Sequence, residues 1–272
     1  GYMLVADTSQ QKAFMLVGPK RSGKGTIARI LEAVIGPQNA VSPTLASLGT
    51  QFGTAPLIGK RLAIISDARI SAKTDTAIVA ERLLGITGED SQSADRKFIE
   101  PWHGKLDVRF LLISNELPRI ADASGALPSR FIVLILTNSF FGKEDRSLTM
   151  RLMHERPHIL NWSIAGYRRL LDRGYFLQPA SANDAIQDLE DLGSPISAFV
   201  RDCCVVAGDQ RIQCSQLFRE WGVWCQGQGR SQQGTLQGFG RDLRAVLPHL
   251  KITRPREEDE RIRYYEGLTL RV

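Results

Sequence analysis

Between Ala13 and Ile35 the chain reads as an apolar run, Ala13-Phe14-Met15-Leu16-Val17, then Gly18-Pro19-Lys20-Arg21-Ser22-Gly23-Lys24-Gly25-Thr26, then the helix-like Ile27-Ala28-Arg29-Ile30-Leu31-Glu32-Ala33-Val34-Ile35. This order requires a buried strand to pass through a glycine turn directly into a helix, the setting of a phosphate-binding loop. Such a loop wraps backbone N–H groups around an anion, and the helix N-terminus adds its partial positive charge. Gly18, Pro19, Lys20, Arg21, Ser22, Gly23, Lys24, Gly25 and Thr26 therefore form the expected nucleotide-binding set, with Lys24 reaching the β- and γ-phosphates. Gly25 stands where Ser or Thr usually follows the lysine. Thr26, one place later, becomes the expected magnesium hydroxyl.

Three further apolar runs come later in the chain: Arg61–Asp67, Asp107–Asn115 and Arg130–Leu136. A helix is expected over roughly 74–85, with Ile78, Val79, Leu83 and Leu84 on its apolar side. Continuous apolar runs suit parallel strands covered on both faces, so the expected fold class is α/β with a mostly parallel sheet. A phosphate loop alone implies nucleotide binding and no particular reaction. The strand ends add chemistry. Asp67 is placed to hold magnesium, directly or through water, or else to serve as a turn acid or helix cap. Asn115 is placed to orient an attacking water, or else sits in a turn before Pro118. Arg130 is placed to neutralise charge on a neighbouring subunit's nucleotide, or else makes a structural ion pair.

The 272 residues allow one large or two modest domains, and a 43% hydrophobic content is ample for a packed core. No apolar stretch approaches the length of a membrane span and no signal peptide opens the chain, so no membrane partner and a cytoplasmic location are expected. Cys203, Cys204, Cys214 and Cys225 lack paired zinc-ligand spacing and are expected to be reduced. A net charge of +6 fits a polyanionic partner. Three regions are expected: a nucleotide-binding core over 1–143, a helical segment and linker over 144–193, and a third unit over 194–272. In the second, Leu148, Leu152, Ile159, Leu160, Ile164, Leu170 and Leu171 recur at helical intervals. In the third, helices over 196–205, 214–226 and 235–247 precede strand-like pieces over 249–254 and 261–271. Three helices and a hairpin outline a winged helix.

Taken in order, Gly-Pro-Lys-Arg-Ser-Gly-Lys-Gly-Thr, Ile-Ile-Ser-Asp, Thr-Gly-Glu-Asp, Leu-Leu-Ile-Ser-Asn-Glu-Leu-Pro and Ser-Arg-Phe resemble the superfamily 3 helicases. More narrowly, they resemble the helicase half of phage and plasmid primase–helicases, the group related to satellite-phage and poxvirus replication proteins. The likeness extends over nearly the whole chain, including Asn161-Trp162. It implies an AAA+-like ATPase that uses ATP and Mg²⁺, assembles as a hexameric homo-oligomeric ring and moves 3′ to 5′ on single-stranded DNA. It also implies roles: Lys24 and Thr26 as Walker A, Asp67 as Walker B, Asn115 as sensor 1, and Arg130 as the finger acting in trans. Lys24, Asp67, Asn115 and Arg130 are then the catalytic set, with Thr26 and Asp67 at the metal. Walker B usually offers two adjacent acids, whereas Ala68 and Arg69 follow Asp67 here. The general base is open among Glu81, Glu89 and Asp90. The start at Gly1 fits a piece of a longer protein with a primase domain upstream.

In the helicases it resembles, the interval between Asp67 and Asn115 makes a hairpin that enters the ring channel. Arg96, Lys97, His103 and Lys105 would line it, tracking phosphates, and Trp102 would stack on a base. The competing expectation is a surface hairpin with Trp102 packed beneath. Residues 194–272 carry 12 Lys and Arg against 9 Asp and Glu. Thr235–Arg244 would be a recognition helix, with Arg254, Arg256, Arg261 and Arg263 flanking a wing tip, to hold forked or duplex DNA, or else the unit serves protein contacts or packing. Glu257-Glu258-Asp259-Glu260 in that wing would repel phosphate. Two rivals share the loop: a nucleotide kinase, and an ATP-dependent origin-binding protein without helicase activity.

Overall fold

The structure, a computed structural model, describes residues 1–68, 74–122, 125–230, 233–257 and 260–271. Arg69 beside the expected Walker B acid, and Glu258 and Asp259 of the acidic stretch, lie outside the described residues. The chain divides into two units. One comprises residues 1–121 and 126–189, the other 122–125 and 190–272.

In the first unit, β1 (Ala13–Val17) leads through the glycine loop into α1 (Lys24–Ile35). Next come β2 (Ala40–Val41), α2 (Leu45–Leu48), β3 (Leu62–Ile65), α3 (Thr76–Thr87), a hairpin of β4 (Gln92–Arg96) and β5 (Ile99–Gly104), β6 (Arg109–Ser114) and β7 (Phe131–Ile135). The main sheet has the order β2-β3-β6-β1-β7 and every pairing in it is parallel. Alternate residues of each strand enter different cores, as a two-residue period dictates. Met15, Ala63, Ile65, Phe110, Leu112 and Val133 pack with Val79 and Leu83 of α3 on one face. Leu16, Leu62, Ile64, Leu111 and Ile113 pack with Ala28 of α1 on the other. Burial of both faces is why these strands read as unbroken apolar runs. Asp75 caps α3, its carboxylate accepting from the N–H groups of Ala77 and Ile78.

The expected helical stretch after 143 is α4 (Leu148–His154), α5 (Arg156–Arg173) and α6 (Asn183–Gly193). Its apolar period is real, yet Leu148, Leu160, Ile164 and Leu171 are exposed and only Leu170 of the series is buried. Among the described residues no helix is long and apolar enough to cross a membrane.

In the second unit α7 (Pro195–Cys203) runs into β8 (Cys204–Gln213), followed by α8 (Cys214–Gly227), α9 (Leu236–Val246), β9 (Lys251–Thr253), the short pair β10 (Arg256–Glu257) and β11 (Glu260–Arg261), and β12 (Tyr264–Leu270). The sheet order is β8-β12-β9, antiparallel throughout. Phe199, Leu217, Trp221, Phe239, Leu243, Tyr265 and Leu268 form its core. The three helices and both later strands lie where the sequence puts them. Strand β8 was not expected: only Cys204 and Ile212 of its ten residues are buried, so it carries no alternating signal. The thiols of Cys204, Cys214 and Cys225 are buried and free, and burial pushes Cys204 up to about 12.

Candidate nucleotide site and its surroundings

The glycine loop lies at the carboxyl edge of the sheet, between the ends of β6 and β7. Gly18 N–H donates to the carbonyl of Ser114 at 3.3 Å, and Leu136 N–H donates to that of Val17 at 2.8 Å. A Cβ at Gly18 would fall 2.3 Å from the Leu136 oxygen, so only glycine fits. Gly23 turns the chain with φ 93° and then serves as N-cap of α1. It brings no capping side chain, and no acid occupies the helix's first turn. The first amides of α1 therefore point at the loop without a competing carboxylate, as anion binding requires.

Lys24 is the first residue of α1 and only 8% exposed. Its Nζ donates to the carbonyls of Gly18 and Pro19, both at 2.7 Å, to Ser22 Oγ at 3.1 Å and to Asn115 Oδ1 at 3.1 Å. Desolvation lowers its pKa. Asn115 comes directly after β6, the neighbour of β1, so parallel pairing brings the two residues to one edge. Asp67 comes after β3, the next strand along, and the N–H of Ala68 donates to the Ile113 carbonyl at 3.1 Å, tying that turn to the end of β6. Lys24, Asn115 and Asp67 thus succeed one another along a single edge, with Asp67 about 10 Å to the side of β1 by strand spacing.

Thr26 Oγ1 accepts from Arg29 Nη2 at 3.1 Å, and Arg29 also reaches Thr149 Oγ1 of α4 at 3.5 Å. Among the described residues no group of three or more His, Cys, Asp or Glu converges as a metal cage. The Asp67 carboxylate and the Thr26 hydroxyl are oxygen groups of the kind a hard cation takes as ligands.

On the other side of the loop, Ser139 Oγ donates to the Lys20 carbonyl at 2.8 Å and Phe140 N–H to that of Arg21 at 3.0 Å. Arg21 Nε pairs with Glu144 at 3.4 Å. These contacts hold Phe140 and Phe141, both exposed, beside the loop. Sequence reasoning passed over them because they come after a strand without any motif of their own.

Arg130 lies at the opposite edge. It ends a single 3₁₀ turn, Pro128–Arg130, just before β7, whose first residue pairs with Ala13 at the start of β1. The five residues of β1 separate it from the loop by about 17 Å. Its Nη1 donates to Gln11 Oε1, and its buried Nε has no hydrogen-bond partner among the described residues. Glu89 and Asp90 lie on this edge too, just past α3, with Glu89 Oε1 accepting from Thr8 Oγ1 and paired to Lys105 Nζ at 2.6 Å. Glu81 is exposed on α3.

The β4–β5 hairpin exists, with Ser93 opposite His103 and Ala94 opposite Trp102. Its expected contact residues divide. Trp102 is half-buried against the main core and does not project. Arg96 donates through Nε and Nη2 to the Glu100 carbonyl at 3.0 and 2.7 Å, and Lys97 Nζ lies 5.7 Å from the Phe52 ring centroid. His103 and Lys105 are exposed on the outer side. The aromatic at the tip is Phe98, fully exposed in a left-handed conformation of φ 61°. Sequence reasoning missed it. Lys97 and Phe98 form the two-residue turn between Arg96 and Ile99, a pair without the Asn or Gly that marks a tight hairpin in sequence.

Residues 16–130 match a family of unknown function, DUF5906. The C-terminal region (305–718) of NrS-1 in its apo form is similar in structure, with 15% identity, a TM-score of 0.55, and coverage of 96% of this chain and 67% of that one. A second apo form of the NrS-1 C-terminal region gives 17% identity, a TM-score of 0.45 and coverage of 95% and 67%. JCV helicase gives 16% identity, a TM-score of 0.41 and coverage of 67% and 51%. The first of these likenesses concerns the fold.

Proposed function

We propose that this chain is the motor module of a ring-forming, ATP-driven DNA helicase of superfamily 3, the helicase half of a phage- or plasmid-type primase–helicase. The Lys24–Asn115 pair carries the reading: a buried lysine on a phosphate loop meets a strand-end amide where a γ-phosphate and its attacking water would sit. The position of Asp67 on the same edge supports it, as does the fold shared with the NrS-1 C-terminal region.

On this reading the phosphates of ATP replace the Gly18 and Pro19 carbonyls around the Lys24 ammonium, and the amides of the loop and of α1 bind the remaining oxygens. Positioning and charge dominate phosphoryl transfer, and these groups supply both. Asn115 orients the water. Asp67 and Thr26 would hold Mg²⁺, which neutralises phosphate charge. The nucleoside end lies toward β7, beside Phe140 and Phe141. Arg130 is too far from its own loop, so it completes the site of a second copy, which makes the active form a homo-oligomeric ring. Lys97 and Phe98 at the hairpin tip, with Arg96, His103 and Lys105 along it, contact single-stranded DNA, while Trp102 seats the hairpin. The second unit is a winged helix for forked or duplex DNA, with Arg254, Arg256, Arg261 and Arg263 exposed along it.

The test is steady-state ATP turnover with and without single-stranded DNA, with Lys24→Ala as control. The reading expects DNA-stimulated turnover that the variant lacks. Phosphate transfer to nucleoside monophosphates without DNA stimulation would make the protein a kinase instead. Nucleotide binding without turnover would make it an assembly factor.

A further inference from the structure

Gln11 precedes β1 and is left-handed, with φ 52°. Its N–H donates to the Thr8 carbonyl at 2.8 Å, which fixes a tight turn. An unbranched non-glycine residue is held there only when its surroundings demand it. Held in that turn, its side-chain amide is used at both ends. Oε1 accepts from Arg130 Nη1, and Nε2 donates to the Gly88 carbonyl at 3.1 Å.

Gly88 begins the turn that leads into the hairpin. The next residue, Glu89, is also left-handed, with φ 70°. Its carboxylate binds Thr8, in the same turn as Gln11, and Lys105, which comes directly after β5. One amide therefore stands between Arg130 and the root of the hairpin. Arg130 is only partly satisfied in this arrangement, because its Nε is buried without a partner among the described residues. A second cation crowds it: Lys12 donates to the Ser129 carbonyl, and burial together with the Arg130 charge lowers its pKa. An anion brought to this edge would be drawn to Arg130.

We infer that Gln11 is a positioning residue that parks Arg130 and couples its place to the root of the β4–β5 hairpin. This rests on the reading of Arg130 as the arginine that completes a neighbour's site. When Arg130 turns to a neighbour's phosphate, it gives up Gln11 Oε1, and the Gly88–Glu89 turn loses the strut that ties it to the arginine. Tension at the hairpin root is then set by the nucleotide of the adjacent copy, and by reciprocity DNA held at the tip biases Arg130.

The test uses Gln11→Met, which keeps the volume and removes both hydrogen bonds, and Gln11→Glu, which offers Arg130 a carboxylate. ATP turnover is measured with and without single-stranded DNA, alongside the KM for ATP and thermal melting. Gln11→Met should cut the ratio of stimulated to basal turnover at least ~5-fold with KM unchanged, the lower end of ordinary coupling between sites. Gln11→Glu should lower kcat in both conditions with KM unchanged, because a carboxylate holds the Arg130 guanidinium more firmly than an amide does. If one variant fails to fold, the other still decides. Both variants retaining the wild-type ratio and kcat, whatever their melting temperatures, would overturn the inference alone. Absence of DNA-stimulated turnover in the wild type would overturn the functional reading and this inference with it.

Discussion

Lys24 Nζ donates to Asn115 Oδ1 at 3.1 Å, joining the first residue of α1 to the residue that follows β6, 91 positions along the chain. The lysine is buried, the amide exposed, and two loop carbonyls share the same ammonium. A nucleotide must compete with those carbonyls for Lys24, whereas Asn115 can stay bonded to it and present its NH₂ group outward. Asn115→Ala should therefore leave the KM for ATP near wild type and lower kcat by about 10²-fold, the usual loss when one oriented polar group is removed. Steady-state kinetics check this. A raised KM with unchanged kcat would assign Asn115 to ground-state binding.

At the hairpin, seating and contact separate. Phe98 is fully exposed and touches no core, so Phe98→Ala should change unfolding stability by no more than about 0.5 kcal/mol. The same change should weaken single-stranded DNA binding by roughly 1–3 kcal/mol, the worth of one stacked base. Trp102→Ala, half-buried against the core, should instead cost about 2 kcal/mol of stability. Chemical denaturation and fluorescence anisotropy with labelled DNA separate the two. Weak DNA binding in a Trp102 variant of full stability would restore the tryptophan as the contact residue.

Phe140 and Phe141 stand beside the loop on the side away from Asn115. Replacing both by alanine should weaken ATP and ADP binding about 10-fold while leaving inorganic tripolyphosphate unaffected, since only the nucleotides carry a base to stack. Calorimetric titration of the three ligands reads this. Equal losses for all three would place the aromatics in support of the loop.

Glu89 gives a pH signature. The hydrogen bond from Lys105, then that from Thr8, holds its carboxyl below the ordinary value of 4.5. A carboxyl whose folded value is depressed contributes stability that is complete above the unfolded value and is lost as pH falls through the folded one. Lys105→Met should raise the Glu89 value and move acid unfolding to higher pH, as carboxyl NMR titration and melting below pH 5 will show. A wild-type Glu89 titrating at its ordinary value would contradict the pairing.

Much of the carboxyl edge of the sheet was legible in the sequence. Leu62–Ile65 and Arg109–Ser114 are buried on both faces, so their apolar runs announce strands, and Asp67 and Asn115 are the polar residues at which those runs stop. The opposite edge was not legible. Gln11 and Glu89 take left-handed backbones in local turns, closed by Gln11 N–H on the Thr8 carbonyl and Asp90 N–H on that of Gly85, but their side-chain partners lie across the fold and have no signal in the sequence. Arg109 is 1% exposed inside β6, and no pattern in the strand run foretells its partners: it stacks on Tyr2 at 5.1 Å and donates to the Asp7 carbonyl, anchoring the N-terminal segment. Strand β8 escaped because most of its side chains face solvent.

In the proposed ring every nucleotide site is shared, Lys24 of one copy working with Arg130 of another. Lys24→Ala and Arg130→Ala chains, each inactive alone, should regain DNA-stimulated ATP turnover when co-assembled. Random pairing leaves both halves intact at roughly a quarter of the interfaces, so about that share of the wild-type rate is expected. A co-assembled mixture no more active than either variant alone, or an Arg130→Ala chain that turns over ATP at the wild-type rate, would contradict it.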